Sequence, residues 1–139
     1  MLTSAETLLH QQYEALQAFD RLLLAEHAFL LQAQVNQLPA ITAQKTAQLA
    51  ALEALEQRRV LAFAEDAAAS ASPRWQQVQT LARHVAEANQ RNGAMILALS
   101  RSTEGALHIL RGTDDSAALY GAQGLGQTQG ATSRLVACA

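Results

Sequence analysis

Aromatic side chains are scarce in this sequence of 139 residues, where they make up only 4% of the total. Half of the residues are hydrophobic, and many of those are alanine. Small side chains let helices approach each other closely, so the composition favours the packing of helix on helix. The length is that of a single domain with enough chain to form a hydrophobic core.

Cysteine is almost absent, and the single Cys138 excludes both an internal disulfide and a zinc site built from several cysteines. Long hydrophobic runs are absent too, since no apolar stretch approaches the roughly 20 residues that span a bilayer. The N-terminal stretch MLTSAETLLHQQYEA lacks the basic and then apolar order of a signal peptide. We therefore expect a cytoplasmic protein without membrane insertion.

The chain also lacks an excess of one charge. Ten basic and twelve acidic residues give a net charge of -2, and they are spread without a block of one sign. Nucleic acids and anionic membranes attract proteins through clustered positive charge. The sequence gives no electrostatic reason to expect either partner.

Only two prolines interrupt the chain, and they divide it into three amphipathic stretches. Thr3 and Glu6 have the spacing of a capping box, Pro39 must end or bend the first helix, and Ser72 before Pro73 suits a helix start. Gly112 predicts the end of the third helix. We expect helices over 4–36, 39–65 and 73–111, and hence an all-α, elongated three-helix antiparallel bundle or coiled-coil hairpin.

Apolar residues in the long third stretch recur at alternating spacings of three and four, which is typical of the seam between packed helices. This seam comprises Val78, Leu81, Val85, Ala88, Asn92, Met95, Leu99, Ser102, Ala106 and Ile109. The first helix has a matching stripe that Asp20 and His27 interrupt. On the second helix, Lys45 and Arg59 lie close to the buried phase, where we expect their stems on apolar surface and their charges in water.

Asn92 and Gly93 stand out within the predicted third helix. An asparagine at a seam position costs stability but can fix the register of the helices, and a glycine in a helix interior costs about 1 kcal/mol relative to alanine. Close approach of a neighbouring helix at Gly93 is the structural interpretation. Contact with a partner helix is the functional one.

The last 27 residues change in character, with four glycines and few charges. We expect residues 1–112 to form the helical domain and residues 113–139 a flexible C-terminal binding tail. The tail carries apolar residues that suit a segment ordering on a partner, and otherwise it is a frayed end. Those we expect to contact a partner are Leu119, Tyr120, Gly121, Gly124 and Leu125, together with Asn92 and Gly93.

The histidines suggest two kinds of chemistry, neither of which the spacing favours. Glu6 with His10 and Glu104 with His108 are four residues apart, whereas a di-iron bundle uses Glu and His three apart with further inward carboxylates. We expect these to be solvated or hydrogen-bonded pairs. His84 is the best candidate for phosphotransfer, but no lysine or glycine lies near it in the sequence to receive a phosphoryl group. The sequence therefore predicts no enzyme activity, no metal and no cofactor.

Three groups of residues, taken in order, resemble the FlgN family of flagellar export chaperones. The first group comprises Leu23, Glu26, Leu30, Leu38, Ile41, Lys45, Leu49 and Leu52. The second comprises Asn89, Asn92, Gly93, Met95, Ile96 and Leu99. The third comprises Leu119, Tyr120, Gly121 and Gly124. The resemblance covers nearly the whole chain.

The resemblance implies a helical, rod-like cytoplasmic chaperone of type III secretion that binds the hook-filament junction proteins FlgK and FlgL. It also implies delivery to the export gate, with the C-terminal region engaging the client and Tyr120 helping to dock the gate protein FlhA. The alternative is a generic coiled-coil structural or adaptor protein with no export role, which would dimerise through the long helix.

Overall fold

The fold of the described residues consists of helices. The computed structural model describes the backbone of residues 1–121 and the side chains of residues 1–112. Three α-helices, α1 (Ser4–Leu31), α2 (Leu38–Glu65) and α3 (Pro73–Gly121), are joined by two short 3-10 helices, Val35–Gln37 and Ala67–Ala71. No strand occurs among these residues. The all-α prediction with three helices is confirmed, and the elongated shape stays a prediction.

Helix α1 begins as predicted and ends earlier than predicted. Thr3 and Glu6 form the capping box, with Glu6 N donating to Thr3 Oγ1 at 3.2 Å and Thr3 N donating to Glu6 Oε2 at 2.9 Å. The helix ends at Leu31, because Ala33 takes a positive φ of 53° and Gln34 N donates back to the Phe29 carbonyl at 2.9 Å. The predicted end near residue 36 was therefore wrong. The chain turns at Ala33, and Pro39 lies in the first turn of α2, where its missing N–H costs nothing.

Helix α3 begins at its predicted cap and continues beyond its predicted end. Trp75 N donates to Ser72 Oγ at 3.1 Å, which satisfies one of the free N–H groups of the first turn. Gly112 does not stop the helix, which runs on to Gly121. A glycine ends a helix by adopting a left-handed conformation, and Gly112 has no such φ. The predicted boundary at residue 111 was wrong.

The chain divides into two compact units, Met1–Asn92 and Gly93–Ala139. In the first unit, the pairs Gln12–Glu56 and Glu26–Lys45 show that α1 lies antiparallel to α2. The pairs Asp20–His84 and Leu23–Asn92 show that α1 lies parallel to the first part of α3. One core cluster joins α1 and α3 and consists of Leu9, Leu16, Phe19, Leu23, Val78 and Val85, and the partly buried Leu52 and Phe63 of α2 pack against it. The apolar stripe predicted on α1 therefore lies at the centre of the core.

The predicted seam of α3 is buried only in the first unit. Val78, Val85 and Asn92 are 4%, 6% and 2% exposed. Leu99 is half-buried, and every residue from Arg101 to Arg111 is exposed. As a member of the predicted seam, Leu99 was expected in the core, so that prediction was wrong, and the seam does not extend to Ile109.

The charged groups of Lys45 and Arg59 do not lie in water as predicted. The Lys45 side chain is only 16% exposed, and its ammonium lies 3.2 Å from Glu26 Oε1. The Arg59 guanidinium lies over the Trp75 ring, 4.3 Å from the ring centroid, and also contacts Glu56. Both basic side chains connect helices. None of the helices, over the part that the structure describes, combines the length and the apolarity needed to cross a membrane.

Candidate partner-binding surface

Residues 93–112 form the part of α3 whose side chains are described in the second unit, and we call them the outer segment. Several of its large apolar side chains are exposed, with Leu107 at 46%, Ile109 at 78% and Leu110 at 79%. Isolated apolar residues are common on protein surfaces, whereas a run of them on one element is typical of an interaction site. The outer segment is the candidate surface for a partner.

The spacing of apolar residues in the outer segment remains that of a packed helix. Leu99, Ala106 and Leu110 follow one another at intervals of seven and four residues, so they share a face of the helix. Of these, Leu99 is half-buried while Ala106 and Leu110 are exposed. A helix face of this kind is complementary to another helix or to an apolar groove.

Asn92 is engaged inside the first unit. Its Nδ2 donates hydrogen bonds to the backbone carbonyl of Leu23 at 2.9 Å and to Glu26 Oε1 at 3.0 Å. Its Oδ1 lies 3.1 Å from Nδ1 of His27. The structural interpretation of Asn92 as a polar residue joining helices thus has a geometric basis, and its direct contact with a partner stays a prediction.

Gly93 makes no close helix contact, contrary to the structural interpretation. A Cβ atom built at this position would meet nothing within 4 Å. A larger side chain would therefore fit at position 93, and close packing does not explain why a glycine occupies it. Leu119, Tyr120 and Gly121 lie on the last described turn of α3. Gly124 and Leu125 lie outside the described residues, as does Cys138.

The residues of the two Glu and His pairs, Glu6, His10, Glu104 and His108, are all exposed, in agreement with the expectation that they are solvated. Glu6 reaches back to the N-terminus of α1, and His10 instead contacts Glu14 at 3.4 Å on the exposed surface. His84 Nε2 lies 3.2 Å from Asp20 Oδ1, a close polar contact without the alignment of a hydrogen bond. No group of three metal-ligating side chains occurs within the described part of the chain. The polar residues that interrupt the α1 stripe, Asp20 and His27, thus face polar partners on α3.

An open cleft of about 470 Å³ lies between the helices of the first unit. Its apolar lining includes Leu16 and Val78, and Glu56 and Arg83 line it as charged groups. Hydrogen bonding to Arg59 lowers the pKa of the Glu56 carboxyl, and the same contact raises the pKa of Arg59. Both shifts keep the pair ionised, so they stabilise an ion pair and do not prepare a proton donor for catalysis.

Comparison with known proteins identifies the family. The family described as FlgN protein matches residues 1–128. The chain belongs to the FlgN family. The resemblance seen in the sequence is thereby confirmed. FlgN is a family of flagellar proteins and not a known enzyme family.

Two curated members of the FlgN family are similar along most of their length. The flagella synthesis protein FlgN of Salmonella typhimurium (strain LT2) is 32% identical over 129 residues, which is 88% of this chain and 90% of the relative. The flagella synthesis protein FlgN of Salmonella typhi matches to the same extent. No solved structure matches the chain.

The polar residues inside the first unit of this FlgN-family chain were only partly anticipated from the sequence. Glu26 is 1% exposed and Gln12 is 5% exposed, yet neither was predicted to be buried. The signal was present, because Gln12, Phe19 and Glu26 are separated by seven residues and Phe19 is apolar. Residues that share one heptad position can therefore include buried polar side chains as well as apolar ones, provided that each polar side chain has a hydrogen-bond partner.

Proposed function

We propose that this chain is a cytoplasmic flagellar export chaperone of type III secretion. Its clients would be the hook-filament junction proteins FlgK and FlgL, which it would deliver to the export gate protein FlhA. Membership of the FlgN family supports the flagellar role, and both curated relatives carry names that refer to flagella synthesis. The mechanism is binding alone, without a catalytic step or cofactor.

The observation that carries the proposal is the exposed apolar surface of the outer segment. Leu107, Ile109 and Leu110 are exposed on a helix that is already formed. A preformed helix loses little conformational entropy when it binds, so most of the gain from burying these side chains would appear as affinity. An apolar helix face can bind and cover a complementary apolar face of a client.

The predicted tail residues complete the proposed binding region. Leu119, Tyr120 and Gly121 continue α3 beyond the outer segment, and Gly124 and Leu125 follow them. An aromatic side chain buries a large area at little rotamer cost, so Tyr120 is our candidate hot spot for the gate or the client. Asn92 and Gly93 mark the start of the same region.

Calorimetric titration of the full chain with C-terminal segments of FlgK and FlgL, and with the soluble part of FlhA, tests the proposal. Leu110→Asp should weaken client binding about 30-fold, the effect of losing a hot-spot contact of about 2 kcal/mol. Tyr120→Ala should weaken binding to the gate or the client by a similar factor. Neither substitution should change the circular dichroism spectrum of the full chain.

The matched control is Leu61→Asp, which places the same charge on an exposed leucine of α2 that is 69% exposed. It should leave both affinities unchanged. Equal weakening by Leu61→Asp and Leu110→Asp would place the binding surface elsewhere. A chain that binds none of these proteins but dimerises through α3 would instead be a coiled-coil adaptor, and the export role would be lost.

A further inference from the structure

The apolar residues of α1 do not by themselves define how the helices align. Leu9, Leu16, Leu23 and Leu30 are seven residues apart and identical in type. All four are buried. Sliding a neighbouring helix by one heptad would therefore replace leucine by leucine along most of the interface. A second feature must select one alignment.

Polar layers alternate with an apolar layer between α1 and α2. Going along α1, Gln12, Phe19 and Glu26 are seven residues apart. Going backwards along α2, the residues at the same intervals are Arg59, Leu52 and Lys45. Glu26 pairs with Lys45, and Leu52 packs against the core cluster that contains Phe19.

The other polar layer is built around Glu56. Gln12 Nε2 donates to Glu56 Oε2 at 3.1 Å, and Arg59 Nε donates to the same oxygen at 2.8 Å. Gln12 and Arg59 thus meet on one carboxylate atom. Two polar layers thus flank one apolar layer between α1 and α2.

Helix α3 contacts the polar layer of Glu26 and Lys45 through one residue, Asn92. The Asn92 amide donates to the same Glu26 oxygen, Oε1, that lies 3.2 Å from the Lys45 ammonium. Among the described residues, the buried polar or charged side chains are Gln12, Glu26 and Asn92, and all three belong to these layers. Glu26 is therefore the point at which the three helices are aligned.

We infer that the two polar layers act as a register lock, which makes the alignments shifted by one heptad unavailable. In one shifted alignment of α1 and α2, Glu26 would face Leu52 and Phe19 would face Arg59. In the other, Phe19 would face Lys45 and Gln12 would face Leu52. Each leaves a buried charge without a partner, which is strongly unfavourable.

The same lock fixes α3. Val85 and Leu99 lie one heptad before and after Asn92. If α3 slid by seven residues, one of them would face Glu26, and neither side chain can donate a hydrogen bond. The inference concerns the alignment of helices in the first unit and does not depend on the proposed export function.

Distance measurements between spin labels test the lock. Gln11 on α1 and Ala47 on α2 are both exposed and can be replaced by labelled cysteines in a Cys138→Ser background. A slip of one heptad moves one helix about 10 Å along the other. The parent chain should give one label-to-label distance. The variant Gln12→Leu with Glu26→Leu, Lys45→Leu and Asn92→Leu, which removes the buried polar side chains of both layers, should remain helical and give at least one additional, displaced distance.

A second variant provides the test if the first variant does not fold. Glu26→Gln with Lys45→Met removes both charges while keeping a polar group for Asn92, and it should broaden or split the distance distribution to a smaller extent. The control Glu53→Leu with Arg58→Leu removes one acidic and one basic side chain from exposed positions of α2. It should keep the single parent distance. A single unchanged distance in both lock variants would overturn the inference.

Discussion

The side-chain amide of Asn92 donates a hydrogen bond to the backbone carbonyl of Leu23, with a distance of 2.9 Å, across the α1–α3 interface. That carbonyl lies within α1, where it already serves the helix. The bond therefore attaches one helix directly to the backbone of another. A contact to the backbone is kept whatever side chain occupies position 23, so its contribution should be separable from that of the leucine.

Replacing Asn92 by alanine should destabilise the first unit by about 2 to 3 kcal/mol, because a buried carboxylate oxygen of Glu26 loses a donor and a small cavity is left. Urea unfolding followed by circular dichroism measures the change. Gln90→Ala, at an exposed position two residues away, is the control and should alter the free energy of unfolding by less than about 0.5 kcal/mol. A loss for Asn92→Ala no larger than that of the control would contradict the prediction.

The two heptad leucines Leu23 and Leu99 should differ in their contribution to stability. Leu23 is 1% exposed, and Leu23→Ala should cost about 2 to 5 kcal/mol through lost burial and the remaining cavity. Leu99 is half-buried, so Leu99→Ala should cost about 1 kcal/mol. The same urea melts measure both. Equal losses would mean that the core extends along α3 beyond Asn92.

Alanine at Gly93 should stabilise α3. A Cβ atom there meets nothing within 4 Å, and alanine has the higher helix propensity, so the gain should be up to about 1 kcal/mol. Gly105→Ala has the same open surroundings and serves as a matched comparison on the same helix. Helical content by circular dichroism and the melting temperature are the measurements. If Gly93→Ala lowers the melting temperature while Gly105→Ala does not, a neighbouring residue must approach Gly93 closely.

The ion pair of Glu56 and Arg59 should make stability depend on pH in the acid range. Hydrogen bonding to Arg59 lowers the pKa of Glu56 in the folded chain. The stabilisation is therefore fully present above the pKa of an unfolded glutamate, about 4.3, and is lost as the pH falls through the lower folded value. The Glu56 side chain is 51% exposed, so solvent screening keeps the effect below about 1 kcal/mol.

Comparing pH profiles of stability for two variants isolates this pair. Glu56→Gln should flatten the profile between about pH 5 and 3, because the titrating carboxyl is gone. Glu53→Gln removes an exposed carboxyl from the same helix and should leave the slope as in the parent chain. Identical profiles for Glu56→Gln and the parent would show that Arg59 does not favour the ionised form.

Local signals in the sequence were sufficient for the starts of α1 and α3. The capping box of Thr3 and Glu6 and the cap at Ser72 depend on residues three apart, so the pattern is complete within a single turn. The ends were harder to predict. Ala33 ends α1 from a left-handed conformation that alanine seldom adopts, and Gly112 remains helical although glycine often ends helices.

The periodicity of the sequence predicted the core side of α1 but not the extent of the core along α3. A helical period states which residues share a face, whereas burial also requires another element against that face. Ile109 has the right phase and is nevertheless 78% exposed. Likewise, nothing near Lys45 in sequence shows that Glu26 lies beside it, because that ion pair joins residues 19 positions apart on different helices.

The ion pair of Lys45 has a practical consequence for coupling chemistry. Lys45 is the sole lysine of the sequence, and its nitrogen is held against a carboxylate on a side chain that is only 16% exposed. Amine-reactive reagents should therefore modify the Lys45 side chain slowly while the helices are packed, so that its labelling rate reports on the separation of α1 from α2.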